Sequence, residues 1–141
     1  MESIHKYKII QNMNLIIEYH AGKLCYDEII KFKTIQSKDD NYNANYNFLV
    51  DIREAEIMLS EDQIINIFKF VIDNKIMIGN RKVAQLTSTP NQVVTTILLE
   101  KHNIIPIQTN VFSTMEAAIR FLGFSNIDLK TINGYIEELK K

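Results

Sequence analysis

Charged and hydroxyl side chains follow the strands that the sequence predicts. The apolar run Phe48-Leu49-Val50 is typical of a strand covered on both faces. Parallel strands end at one edge of a sheet, where such folds bind ligands, so we expect these side chains to gather there: Asp51, Arg53, Ser60, Thr87, Ser88, Thr89 and Ser113. Hydroxyls at helix N-termini suit a phosphate, a carboxylate or an acidic side chain of a partner protein. The sequence therefore predicts a partner-binding or anion-binding surface at this edge.

The same hydroxyl residues have a second interpretation as helix caps. Capping boxes are predicted at Ser60-x-x-Gln63 and Ser113-x-x-Glu116, and Thr89 precedes a proline at the first helical position. Three helices need N-caps in any case. Asp51 can likewise be a strand-end carboxylate that accepts backbone NH groups. Arg53 is the residue of the set that capping explains least.

Residues with metal-binding or catalytic chemistry are scattered along the chain. His5, His20 and His102 have no metal-ligand spacing between them, and Cys25 is the only cysteine. Asp51 lacks an acid or base partner, and the four glycines form no phosphate-binding loop. The sequence therefore predicts no metal, no cofactor and no enzyme activity. An enzyme built on Asp51 and the hydroxyl residues is the least favoured alternative.

The composition limits the class of protein. The 16 Lys and Arg against 17 Asp and Glu give a net charge of −1, without the basic character of a nucleic-acid-binding protein. The first residues lack the apolar core of a signal peptide, and no apolar run reaches the roughly 18 residues that a membrane span needs. The abundance of Ile, Asn and Lys is typical of an AT-rich bacterial genome. We therefore expect a soluble bacterial protein of the cytoplasm.

Hydrophobic periodicity predicts one domain over residues 1–141, with a core of about 7–124 and an additional C-terminal helix of about 126–140. A tight turn at Asn12-Met13 joins the first two strands, and Gly22 is expected to end this hairpin. The predicted strands cover 7–11, 14–20, 47–53, 82–88 and 104–112, and the predicted helices cover 25–38, 60–78, 90–101 and 113–122. The order β-β-α-β-α-β-α-β-α plus a terminal helix indicates an α/β fold with a mixed, mostly parallel sheet and flanking helices.

The predicted helix after Ser60 carries apolar residues outside its main stripe. Phe70 and Met77 are seven residues apart on one flank of that helix. Exposed large apolar side chains in register indicate a contact surface for a partner protein or a second copy of the chain. The alternative is that the loop at 42–46 or the terminal helix covers them.

Three stretches together resemble the SpoIIAA-like branch of the STAS domains, the sulphate-transporter and anti-sigma-factor-antagonist fold. They are the run from Val50 to Asp62, the strand beginning at Arg81, and the run from Asn110 to Gly123. In anti-sigma-factor antagonists a serine after the central strand is phosphorylated by a partner kinase, and the resemblance places Ser60 at that position or beside it. The alternative is a plain N-cap, since Leu59 stands where the family has an acid.

The resemblance implies a non-enzymatic regulatory or protein-interaction module, similar to an anti-sigma-factor antagonist, with an unidentified partner. The alternative is a carrier or sensor of a small apolar or lipid-like ligand. This alternative depends on two points: related STAS-like folds include lipid-exchange domains, and the helices of this chain are rich in Ile.

Overall fold

A five-stranded sheet forms the centre of the computed structural model, which describes residues 2–141. The strands lie side by side in chain order; β1 pairs antiparallel with β2, and all other pairs are parallel. Their bounds are β1 Ile4–Ile10, β2 Leu15–Cys25, β3 Asn47–Met58, β4 Arg81–Leu86 and β5 Ile107–Phe112. The helices are α1 Tyr26–Ser37, α2 Glu61–Asp73, α3 Pro90–Lys101, α4 Met115–Phe121 and α5 Leu129–Leu139. The predicted order of elements and the mixed, mostly parallel sheet are confirmed.

The helices form one layer on each face of the sheet. α1, α2 and α3 each connect two neighbouring parallel strands, and because such crossovers are right-handed they all lie on one face. The other face is covered by α4 and α5, which follow the last strand. Successive strand residues point to opposite faces, so Leu15 and Ile17 pack in the α4–α5 layer while Ile16 packs on the other side. Ile132 and Ile136 of α5 are fully buried, which makes the C-terminal helix part of the main core.

β2 and β3 are both longer than the sequence predicted. The expectation that Gly22 ends the hairpin is wrong: Gly22 has a φ of +77°, and β2 continues through it to Cys25. The strand continues because it pairs with β3 as far as Cys25–Met58 after it has left β1. The register shifts between Tyr19 and Ala21, a β-bulge that places one extra residue in β3. The stretch after Arg53, predicted to be a loop, is therefore strand.

The predicted contact surface at Phe70 and Met77 is wrong for Met77. The α-helix ends at Asp73, and the chain continues in a short 3₁₀ turn, so helical spacing no longer relates the two residues. Met77 is 4% exposed and Phe70 is partly buried. Gly79 follows, and a Cβ there would overlap the backbone carbonyl of Ala44. The turn is thus packed tightly against the loop before β3.

No helix in residues 2–141 is long and apolar enough to cross a membrane.

Candidate functional site

Asp51 and Arg53 lie inside β3 and bind each other. The Asp51 carboxylate accepts hydrogen bonds from Arg53 Nη2 at 2.8 Å, from Arg53 Nε at 3.0 Å and from the Arg53 backbone NH at 3.1 Å. Asp51 is 1% exposed, while about a third of the Arg53 side chain reaches solvent. The hydrogen bonds to the Asp51 carboxylate, together with its negative charge, raise the pKa of Arg53. The pair is a closed, bidentate ion pair, which leaves little capacity for an outside anion.

The hydroxyl residues of the same edge are mostly engaged in backbone contacts. Ser60 and Thr89 are N-caps, as predicted. The predicted capping box at Ser60 is complete, and Thr89 forms a capping box that the sequence analysis did not predict. Ser88 Oγ donates to the Arg53 carbonyl at 2.7 Å, and Thr87 is buried. The capping prediction for Ser113 is wrong, because Thr114 caps α4. The cap interpretation therefore explains Ser60 and Thr89 without a ligand.

The C-terminal part of β3, from Ile52 to Met58, separates Ser60 from Asp51. The strand stays extended from Arg53 to Met58, at roughly 3.3 Å per residue, so Ser60 does not belong to a common site with the ion pair. Ser60 is exposed, and its Oγ accepts a hydrogen bond from the Gln63 backbone NH at 3.2 Å. Its role as a phosphoacceptor stays a prediction.

A cavity of about 160 Å³ lies between the sheet and the helices α1, α2 and α3. We call it the sheet–helix cavity. Apolar side chains from the strands and the helices make up most of its wall, among them Phe32, Val50, Ile67, Val71, Val83 and Leu99. The polar side chains in the wall include Glu18, His20, Lys33 and Arg81. The sequence did not predict this cavity, because it depends on the gap between the helices and the sheet.

Glu18 is a buried carboxylate in the wall of the cavity. Its Oε1 lies 2.9 Å from Nε2 of His20, and its Oε2 accepts a hydrogen bond from Gln36 at 2.9 Å. Burial alone would raise the pKa of Glu18. The hydrogen bond to His20, the charge of Lys33 and the hydrogen bond from Gln36 outweigh burial and lower the pKa to about 2. Glu18 is therefore ionised and already satisfied by the protein.

His20 also contacts a second histidine, His5, which in turn contacts a second carboxylate, Glu28. Nδ1 of His20 lies 3.1 Å from Nδ1 of His5, and Nε2 of His5 lies 3.0 Å from Glu28. If each Nε2 carries a proton and donates it to its carboxylate, the contact between the two Nδ1 atoms needs one further proton, which one Nδ1 donates to the other. The four ring nitrogens then carry three protons in total. The pair then carries one positive charge between two carboxylates. These hydrogen bonds connect the buried side chain of Glu18 to the partly exposed side chain of Glu28 through the two histidines.

The sequence contained a signal for this histidine pair. In a hairpin whose turn is centred between Asn12 and Met13, the residue numbers of each paired position add to 25. His5 and His20 meet this condition. They are direct partners in the β1–β2 register. The predicted first strand began only at Tyr7, which left His5 outside the hairpin. Within residues 2–141, no group of three or more His, Cys, Asp or Glu side chains is arranged to hold a metal ion.

Comparison with known proteins identifies the fold. No known family model matches the chain, and no curated protein matches it by sequence. A solved structure does match: an uncharacterised protein of the DUF3478 family with a SpoIIAA-like fold, from Shewanella loihica PV-4. The match has a TM-score of 0.60 at 15% sequence identity, and it covers 86% of this chain and 96% of that chain. The chain has a SpoIIAA-like fold, as the resemblance predicted.

Proposed function

We propose that this protein is a non-enzymatic binding module of the bacterial cytoplasm that holds a small apolar ligand in the sheet–helix cavity. The observation that carries the proposal is the cavity itself, which lies between the sheet and three helices and is lined mostly by apolar side chains. Ligand sites in proteins are typically of this kind, with a mostly apolar wall and a few polar groups.

The volume of the cavity favours a small ligand over a lipid. An engineered apolar cavity of about 150 Å³ in another protein binds benzene. At about 160 Å³, the sheet–helix cavity has room for a six-membered ring or a short branched chain. A long acyl chain does not fit into this volume. Among the ligands predicted for a carrier or sensor, the small apolar class is therefore preferred.

Benzene is a suitable first probe, since it tests the apolar cavity without any polar contact. We expect millimolar benzene to raise the melting temperature and to shift the methyl NMR signals of Val50, Ile67 and Val83, which line the cavity. Val83→Phe should fill the cavity and abolish both effects. Val111→Phe makes the same change on the edge strand β5 outside the cavity wall, and should leave both effects intact. If benzene shifts none of these methyl signals, the proposal is wrong.

A regulatory interaction with a second copy of the chain is the other candidate, favoured by apolar residues on the outer side of α3. Val94 and Ile97 are 54% and 55% exposed and one helical turn apart, while Thr96 and Leu99 of the same helix line the cavity. Sedimentation velocity should find a dimer that the double substitution Val94→Glu and Ile97→Glu dissociates. Ile127→Glu, at another exposed site, is the control. A wild-type monomer at high concentration would contradict self-association.

A further inference from the structure

Arg81 is a buried cation at the start of β4, and it lines the sheet–helix cavity. The residue is only 9% exposed, and its guanidinium lies 5.0 Å from the centre of the Phe48 ring. Nη1 donates to the backbone carbonyls of Ala44 at 2.9 Å and Met77 at 3.0 Å. These contacts hold the guanidinium in a fixed position against the cavity wall.

The other edge of the guanidinium has no partner. Nε is buried without any hydrogen bond, the one such side-chain atom in the part of the chain that the structure describes. Arg81 also forms no ion pair with a carboxylate of residues 2–141. A buried charge and a buried donor are both unfavourable when they lack a partner. Arg53, which is far more exposed, has the paired carboxylate that Arg81 lacks.

The charges around the cavity favour an anion at Arg81. Glu18 is the acidic side chain in the wall, and it is already bound by His20 and Gln36. Lys33 adds a second positive charge to the wall. Burial lowers the pKa of Arg81, yet guanidinium groups remain protonated in proteins. An acceptor that also carries negative charge satisfies both Nε and the net charge.

We propose that the ligand of the sheet–helix cavity is a small apolar carboxylate, whose carboxylate binds the Nε edge of Arg81 and whose ring or branched chain fills the apolar space. The inference depends on the proposed ligand-binding function and names its ligand class. A carboxylate fits because Nε and Nη2 of an arginine form a planar pair of donors that matches its two oxygens. The cavity volume limits the apolar part to about the size of a benzene ring.

The test compares benzoate with benzyl alcohol, a neutral compound of nearly the same size, by titration calorimetry and NMR on the wild-type protein. We expect benzoate to bind roughly tenfold or more tightly, because only benzoate carries a negative charge and two oxygens that can form a bidentate ion pair with the guanidinium. Arg81→Met should remove this difference, and Arg81→Lys should reduce it. Arg120→Met, at an exposed position on α4, should leave it unchanged.

The wild-type comparison remains decisive if an Arg81 variant fails to fold. Equal affinities of benzoate and benzyl alcohol, or tighter binding of the alcohol, would overturn the carboxylate inference while the apolar cavity function stands. A benzoate preference that persists in a folded Arg81→Met protein would also overturn it. If benzene, benzoate and benzyl alcohol all fail to perturb the cavity, both the proposed function and this inference are wrong.

Discussion

Replacing Gln92 with leucine should destabilise the fold far more than the loss of an ordinary capping interaction in the first turn of a helix. The Gln92 side chain is buried in α3 and joins two backbone segments. Its Nε2 donates to the carbonyls of Ile52 at 2.7 Å, within the β3 bulge, and Ala55 at 2.9 Å, just after it. Its Oε1 accepts from the backbone NH groups of Ser88 at 2.7 Å and Thr89 at 3.2 Å. The four shortest hydrogen bonds of this one side chain thus satisfy four backbone groups.

The magnitude follows from these four contacts. At about 1 kcal/mol for each hydrogen bond, Gln92→Leu should lower the free energy of unfolding by about 4 kcal/mol. Gln63→Leu is the matched control, because Gln63 has the same position in the capping box of α2 but makes only exposed hydrogen bonds. That control should cost about 1 kcal/mol or less. Both substitutions replace glutamine with a residue of similar size, so neither leaves a large cavity.

Urea denaturation followed by circular dichroism measures the difference. With a slope of about 2 kcal/mol per molar urea, Gln92→Leu should lower the midpoint by roughly 2 M, and Gln63→Leu by no more than about 0.5 M. If the two midpoints agree, then Gln92 does not support the bulge as described. A changed slope would instead indicate that the substitution altered the denatured ensemble or the two-state transition.

Three further predictions concern a close contact, a cap and a carboxylate. Gly79→Ala should lower the melting temperature, at a cost of about 2 kcal/mol or more, because its Cβ overlaps the loop backbone. Gly134→Ala, with open space around the Cβ in α5, should instead stabilise by roughly 1 kcal/mol. Thr114→Ala should cost about 1 kcal/mol in urea denaturation, and Ser113→Ala almost nothing; the reverse result would restore the predicted cap. Glu18 has a lowered pKa in the folded state, so its contribution is present above its unfolded pKa of about 4.5 and is lost as the pH falls towards about 2. Glu18→Gln should therefore flatten the pH dependence of stability in that window, and an unchanged pH profile would contradict this.

Local patterns in the sequence predicted the elements and most of the caps. The capping box at Ser60 depends on residues three positions apart, and the cap at Thr89 is marked by the proline that follows it; the sequence displays both directly. Ser113 and Thr114 are both suitable caps, and the sequence does not show whether α4 begins directly after the first or the second of them. The prediction placed Met77 on the α-helix because the apolar residues before Gly79 do not show that the helix ends at Asp73.

The candidate site depended on contacts between distant segments, which the sequence alone did not fix. Asp51 and Arg53 are two residues apart in the sequence, yet the burial of Asp51 depends on the neighbouring strands, in which Tyr19 and Leu86 lie opposite Asp51. In the sequence Arg81 is only the first residue of a predicted strand, and no nearby residue shows that it has no carboxylate partner among residues 2–141. The cavity depends on the separation of α1–α3 from the sheet, which is a property of the packed layers.

The position of α4 and α5 after the last strand determines when the core can be completed. The three connecting helices cover one face of the sheet as each new strand is added, since the strands pair in chain order. The other face, with Leu15, Ile17 and Leu49, is covered only by the segment Met115–Leu139. During synthesis from the N-terminus, this apolar surface stays open to solvent and to other chains until the final two helices leave the ribosome. A chain interrupted before Met115 should therefore aggregate or bind chaperones, even though all five of its strands are present.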